Sequence, residues 1–274
     1  MAMNTLSEKD NALHALLHEL GPVAIAFSGG VDSSLLLHVA HEVLADKVLA
    51  LIADLPSVPR RSLAEASDFC RSHSIRQLVI AVDALNVKGF SENPPDRCYH
   101  CKRELYKALT AAARKNGFKT ILDGSNIDDD KDYRPGEKAI RELAIRSPLR
   151  EVGLTKEDIR ALSRERGLET WNKPAGACLA SRFAYGEPIT RARLAMVERA
   201  EDFLFDLGFP QSRVRIHGAR PIARIEVPAN DLQRLIEHRE AVFQALHCYG
   251  FVYVTLDLEG YRMGSMNSLL TCGQ

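Results

Sequence analysis

Neither sign of charge prevails in this chain: 36 lysines and arginines stand against 36 aspartates and glutamates. No global field therefore draws it to nucleic acid or to an anionic membrane, and a tRNA substrate is disfavoured. No apolar run approaches the ~20 residues that cross a bilayer. The first ten residues lack the apolar stretch of a secretory leader, so a cytoplasmic protein with no membrane partner is expected. Internal repeats and low-complexity stretches are missing as well. In that compartment the six cysteines read as reduced thiols, ligands or reactive groups, not as structural disulfides. Also absent is the Gly-x-x-x-x-Gly-Lys-Ser/Thr pattern, with its lysine, that marks the commonest phosphate loop.

What the chain does contain is organised around Ser28-Gly29-Gly30-Val31-Asp32-Ser33. An apolar run over 23–27 breaks into two glycines, and a helical pattern starts at Ser33 and Ser34. Glycine lets a backbone turn sharply and approach a ligand closely. The amides opening the following helix, with its dipole, suit phosphate. Ser28, Ser33 and Ser34 add hydroxyl donors. Asp32 is the odd residue, since a carboxylate beside phosphate repels it unless a divalent cation or a backbone amide holds it.

Periodicity places further strands at 48–53, 78–82, 120–123 and 146–149, alternating with helices at 6–20, 33–44, 60–73, 97–115 and 155–166. The run at 48–53 is apolar throughout, as in a strand covered on both faces of a parallel sheet. A doubly wound α/β domain over 1–184 follows, with a smaller α+β unit over 185–274 built on an antiparallel sheet. At 274 residues a split is natural, because single cores stop growing near ~250–300 residues. Ligands of open α/β sheets gather beyond the carboxyl ends of strands. That makes Asp54, Gly124, Asn126 and Asp129 candidates for contact with nucleotide or metal, against the plainer reading of solvated loops.

Cys98 and Cys101 open a helix beside Arg97, Lys102 and Arg103, an electropositive setting of the kind reactive or ligating thiolates occupy. Cys-x-x-Cys alone is ambiguous between a redox pair, half a zinc site and part of an iron–sulfur site. Cys178 lies in a loop of small residues followed by Ser181 and Arg182. Cys70 falls on the apolar face of its helix and reads as core. Cys248 and Cys272 have no motif around them.

Residues 28–33 resemble the pyrophosphate loop, or PP-loop, of the N-type ATP pyrophosphatases, which implies an adenine nucleotide alpha hydrolase-like fold. Adding Arg97-Cys-Tyr, Asp123-Gly-Ser-Asn, Asp132-Tyr-Arg-Pro-Gly, Ser147-Pro-Leu, Gly153-Leu-Thr-Lys, Trp171-Asn-Lys-Pro, Ala177-Cys-Leu-Ala-Ser-Arg and Gly260-Tyr-Arg-Met-Gly-Ser-Met-Asn, nearly the whole chain resembles the LarE family. Those are ATP-dependent sulfur transferases that make the nickel-pincer nucleotide of lactate racemase. The resemblance implies ATP and Mg²⁺ at Ser28, Gly29, Gly30, Asp32, Ser33 and Ser34, and adenylation of a pyridinium biscarboxylic acid mononucleotide. Sulfur then comes from Cys178 itself, or from a 4Fe–4S cluster held by Cys98, Cys101 and Cys178; the cluster version is preferred, because His100 and the two helix-start thiols suit it. Lys102, Arg134 and Arg182 are implied as substrate contacts, and Arg213 and Arg215 as a pair for the substrate phosphate, against a bland alternative of solvated strand arginines. Glu226 and Asp231 are weaker candidates for a metal at a subunit interface, and a homo-oligomer, dimer or hexamer, is implied. The rivals are a tRNA thiolation enzyme, an NAD-synthetase-like amide ligase and a nucleotide sensor without catalysis.

Overall fold

The structure is a computed structural model and describes residues 5–131, 135–174, 176, 178–262 and 264–267. The chain divides into two compact units, Met1–Ala84 with Cys98–Gly176, and Leu85–Arg97 with Ala177–Gln274.

In the first unit the order is α1 (Leu6–Leu20), β1 (Val23–Phe27), α2 (Val31–Leu44), β2 (Val48–Asp54), α3 (Arg60–Ser72), β3 (Gln77–Ala81), α4 (Arg97–Lys115), β4 (Thr120–Leu122), α5 (Gly136–Glu142), α6 (Pro148–Glu151) and α7 (Lys156–Glu165). All four strands run parallel, in the order β3-β2-β1-β4. The period-two pattern of a strand explains the layers. Val23, Ile25 and Phe27 of β1, with Val48, Ala50 and Ile52 of β2, pack against α1, α2, α3 and α7. Ala24, Leu49 and Leu51 point the other way, onto Tyr106, Leu109 and Ala113 of α4 and Ile140 of α5. Both faces are covered, as the unbroken apolar runs require. Thr155 caps α7, its hydroxyl accepting from Asp158 N at 3.1 Å while the Asp158 carboxylate accepts from Thr155 N at 3.0 Å.

The chain winds outward from β1 through β2 to β3 and then returns to β4, on the opposite side of β1. The switch point therefore lies between β1 and β4, where open sheets of this kind bind ligands. The expected last strand at 146–149 is absent. Arg146 forms a single bridge with Leu122, and Pro148, which has no N–H for a ladder, starts α6 instead.

The second unit contains α8 (Arg191–Asp206), β5 (Arg213–His217), β6 (Ile222–Glu226), α9 (Leu232–Glu237), α10 (Arg239–Cys248) and β7 (Tyr253–Leu256). Its sheet is mixed rather than antiparallel: β5 and β6 are antiparallel, but β6 and β7 run parallel. The reason is the connection, since the helices between β6 and β7 carry the chain back to the same end. Residues 85–97 join this unit through Gly186 N to Asn93 O (2.9 Å), Ile189 N to Ser91 O (2.8 Å) and the Asn93 side chain to Ala184 O (2.6 Å). Residues 178–184, expected with the first domain, group with the second unit, where Arg182 pairs with Glu201 and Phe183 bridges Ile216. Alternation sorts the sheet into an apolar face, with Val214, Ile216, Ala223 and Ile225 buried, and a charged face bearing Arg213, Arg215, Arg224 and Glu226.

Candidate functional site

The loop after β1 is held by its own hydroxyls. Ser28 Oγ accepts from Gly30 N at 3.4 Å and shares a hydrogen bond with Ser33 Oγ at 3.1 Å, while Ser33 Oγ donates to Gly30 O at 3.2 Å. Gly29 has φ +69°, and a Cβ there would meet Ala66 Cβ at 3.1 Å, so both conformation and space call for glycine. α2 begins at Val31, two residues before the expected start, with no side-chain cap at Gly30. Its first amides and dipole thus face the loop, the arrangement that receives a phosphate. Ser34 is fully buried, and its Oγ has no hydrogen-bond partner among the described residues.

Asp32 finds a partner that its own neighbourhood in the sequence does not name. Lys156 Nζ, 124 residues away, donates to both carboxylate oxygens at 2.7 Å. Its own amide is fixed by Asp128 Oδ2 at 2.8 Å. A second lysine, Lys173, donates to Gly29 O at 2.9 Å and to Glu65 at 2.6 Å. The two lysines fall within Gly153-Leu-Thr-Lys and Trp171-Asn-Lys-Pro, and the family resemblance of those segments is the only sequence signal for them.

Across the switch point, Asp123 directly follows β4 and is almost buried. It accepts from Ser147 Oγ at 2.6 Å, Ser125 Oγ at 2.7 Å and Tyr106 OH at 3.4 Å. Burial, with the Asp123 charge behind it, holds the Tyr106 phenol well above its ordinary range. This network fixes Gly124, where a Cβ would stand 2.9 Å from Ser33 N and 3.1 Å from Ser33 Cα. The exit of β4 therefore touches the backbone of the phosphate loop. Gly124→Ala is expected to lower stability by about 1–3 kcal/mol and to weaken nucleotide binding at least ~10-fold, as read by urea titration and calorimetry. Gly136→Ala is the comparator: the atoms nearest its Cβ belong to the flexible side chain of Lys102, at 2.5 Å, so folding should survive. A Gly124→Ala protein that binds nucleotide like the parent would show that the close approach is not needed.

The other candidates of this unit divide. Asn126 is buried; its Oδ1 accepts from Asp128 N at 2.9 Å, and its N donates to Asp129 Oδ2 at 3.0 Å. Both residues thus shape the loop after β4. Asp54 pairs with Arg60 at 2.5 Å beyond the end of β2. Lys102 packs along Gly136, whereas Arg134 lies outside the described residues. Cys98 is exposed and Cys101 half-buried in the first turn of α4. Cys70 is fully buried, and burial pushes its thiol up to about 12, as befits a core residue.

In the second unit Cys178 is exposed and opens a short 3-10 turn, Leu179–Arg182. Arg182 closes that turn, donating to Cys178 O at 3.3 Å and Ser181 Oγ at 2.8 Å. It also grips both carboxylate oxygens of Glu201 at 2.8 Å. Burial opposes its charge, but Glu201 outweighs burial and holds the guanidinium above its usual range. Arg213 and Arg215 are not solvated strand arginines; they are 8% and 5% exposed. Burial, then the neighbouring charge of Arg182, pushes Arg213 down. Arg215 donates to Ser181 O at 3.1 Å and to Glu226 at 2.7 Å. Such forks, fixed and desolvated, are suited to a second anion. Glu226 is fully buried between Arg215 and Arg224, and Asp231 pairs with Arg234 at 3.1 Å. Within each unit, no three His, Cys, Asp or Glu side chains among the described residues are grouped to hold a metal ion. No helix of the described residues is long and apolar enough to cross a membrane.

A four-stranded parallel sheet whose first strand opens into Ser-Gly-Gly-Val-Asp-Ser, with β4 returning beside it, is the architecture of the PP-loop nucleotide-binding proteins. No protein-family model matches the chain. It is 40% identical over 273 residues to the pyridinium-3,5-bisthiocarboxylic acid mononucleotide synthase of Lactiplantibacillus plantarum, covering 99% of this chain and 98% of that one. It is also 40% identical over 268 residues to an uncharacterized protein of Synechocystis, covering 97% and 99%. One of the chains of the glutamine-hydrolyzing GMP synthase of Thermoplasma volcanium is 29% identical over 214 residues, 72% of this chain and 66% of that one. The chain belongs to the LarE family, that of the bisthiocarboxylic acid mononucleotide synthase.

Proposed function

We propose that this protein is an ATP-dependent sulfur transferase that turns pyridinium-3,5-biscarboxylic acid mononucleotide into its thiocarboxylic acid counterpart. What carries the reading is the combination, in a chain that aligns end to end with the synthase, of the phosphate loop and the exposed Cys178. ATP with Mg²⁺ occupies the loop at residues 28–33, and a substrate carboxylate oxygen attacks the α-phosphorus. The bond to the β-phosphate oxygen breaks, and pyrophosphate leaves. The acyl-adenylate so formed replaces a poor leaving group, an oxide, with a good one, AMP. The amides opening α2, with Lys156 and Lys173 at the loop, would stabilise the charge that develops. The Cys178 thiolate then attacks the acyl carbon and expels AMP, giving a thioester. Loss of the Cys178 Cα proton and cleavage of its Cβ–S bond release the thiocarboxylate and leave dehydroalanine. Arg213 and Arg215 hold the substrate phosphate.

Cys98 and Cys101 are assigned to the sulfur supply. The donor type fits an iron–sulfur cluster with Cys178 as third thiolate, and when bound such a cluster would furnish sulfide in place of the Cys178 sulfur. Neither unit by itself presents three ligands among its described residues, and no step above passes through a cluster. The test is incubation with ATP, Mg²⁺ and the biscarboxylate mononucleotide, with mass spectrometry of both product and protein. Thiocarboxylate is the expected product, and protein lighter by one hydrogen sulfide would assign its sulfur to Cys178. Product with unchanged protein mass, and loss of product in Cys98→Ala, would transfer the sulfur source to the cluster. No thiocarboxylate at all would overturn the function.

A further inference from the structure

The charged face of the second sheet is crossed by residues 260–262 and 264–266, which make three attachments to it. Ser265 Oγ accepts from Arg215 Nη2 at 3.0 Å and donates to Glu226 Oε1 at 2.9 Å. The ring of Tyr261 lies 5.2 Å from the Arg213 guanidinium carbon. Met266 Sδ accepts from Arg224 Nη2 at 3.3 Å. The backbone path is fixed too: Tyr261 N donates to Val227 O at 2.8 Å. Gly260 has φ +74°, and a Cβ there would come within 2.7 Å of that same carbonyl.

Arg215 shows what the attachment accomplishes. Its Nη1 is bound to Ser181 O, and its Nη2 to Glu226 Oε2 and Ser265 Oγ. Its Nε is buried and has no hydrogen-bond partner among the described residues. A donor left bare on a guanidinium only 5% exposed costs free energy unless something accepts from it. An anionic oxygen is the natural acceptor. Ser265 relays between guanidinium and carboxylate, so it sets the plane in which Nε points. Tyr261, stacked by Arg213, does the same for the second fork through cation–π attraction.

We propose that Ser265 and Tyr261 are positioning residues of a phosphate subsite, orienting Arg215 and Arg213 towards the phosphomonoester of the mononucleotide substrate. This rests on the reading of that arginine pair given above. The experiment compares calorimetric Kd values for the mononucleotide and for its dephosphorylated nucleoside, in the parent protein, Ser265→Ala, Ser265→Thr, Tyr261→Leu and Arg215→Ala. In Ser265→Ala the mononucleotide should bind roughly tenfold more weakly, while nucleoside binding stays within twofold. Ser265→Thr, which keeps the hydroxyl, should recover most of that loss, and Tyr261→Leu should behave like Ser265→Ala. Equal weakening of both ligands, or no rescue by threonine, would reduce Ser265 to a structural role and overturn the proposal. If Arg215→Ala spares the phosphate preference, the arginine reading itself is at fault; if Arg215→Ala removes it and Ser265→Ala does not, only the positioning role fails.

Discussion

Lys156→Met is expected to weaken binding of a non-hydrolysable ATP analogue by tenfold to a hundredfold while barely changing stability. The ammonium sits 2.7 Å from both Asp32 oxygens, on side chains that are 35% and 25% exposed. Such partly solvated pairs contribute only ~0–1 kcal/mol to folding. Their effect on an incoming anion is different. Asp32 stands in the first turn of α2, where a carboxylate is welcome to the helix dipole but hostile to a polyphosphate. Without Lys156 that charge is uncompensated, and two unit charges ~4 Å apart repel by ~4 kcal/mol at an effective dielectric near 20. Screening by salt and Mg²⁺ reduces this to about 1.4–2.8 kcal/mol, the stated range of affinity. Calorimetry at fixed salt checks it. The deficit should widen when Mg²⁺ is withdrawn, and the double variant Asp32→Asn, Lys156→Met should bind better than Lys156→Met alone, because removing the carboxylate removes the repulsion. A Lys156→Met protein that binds the analogue as tightly as the parent would show that the pair has no part in nucleotide binding.

The expected PP-loop sheet was legible for a physical reason: strands covered on both faces write themselves as apolar runs, and 23–27 and 48–53 needed no tertiary information. Glycine at 29 was readable on the same footing, since a sharp strand-to-helix turn has few alternatives. The strand expected at 146–149 does not form because Pro148, which has no N–H for a ladder, starts a helical turn instead. The orientation of β7 was illegible because strand direction depends on where α9 and α10 deliver the chain, not on the strand's own residues. The site shows the same division. The loop at 28–33 is local, but Lys156 and Lys173 reach it from 124 and 144 residues away, and only the family resemblance of their segments signals it. Arg213 and Arg215 alternate identically whether solvated or buried. Arg215 meets Glu226 on the adjacent strand and Ser265 beyond it, and Arg213 meets the Tyr261 ring, contacts that spacing alone does not contain.

Cys178→Ser should abolish thiocarboxylate formation, by at least about three orders of magnitude, while pyrophosphate release in the first turnover persists. The substitution exchanges one atom at an exposed position that opens a short turn. The bonds that shape that turn use the backbone carbonyl of residue 178, from Ser181 N at 2.9 Å and Arg182 Nη1 at 3.3 Å. Both survive the change, so folding and the arginine cluster should be intact. The chemistry does not survive, because an alkoxide is scarcely formed near neutral pH, whereas a thiol supplies a nucleophile without a strong base. A thousandfold loss corresponds to about 4 kcal/mol in the barrier. It should fall entirely on the step after adenylation. Rapid quench with mass spectrometry would then find acyl-adenylate accumulating in Cys178→Ser and absent from the parent at the same time points. Loss of pyrophosphate release as well would mean that Cys178 belongs to the activation step, and thiocarboxylate formed at the parental rate would remove it from sulfur transfer. As proposed, the two half-reactions draw on residues of different units, Asp32 and Lys156 in one and Cys178 in the other. Separate failure of the two steps is therefore what this division of the chain predicts.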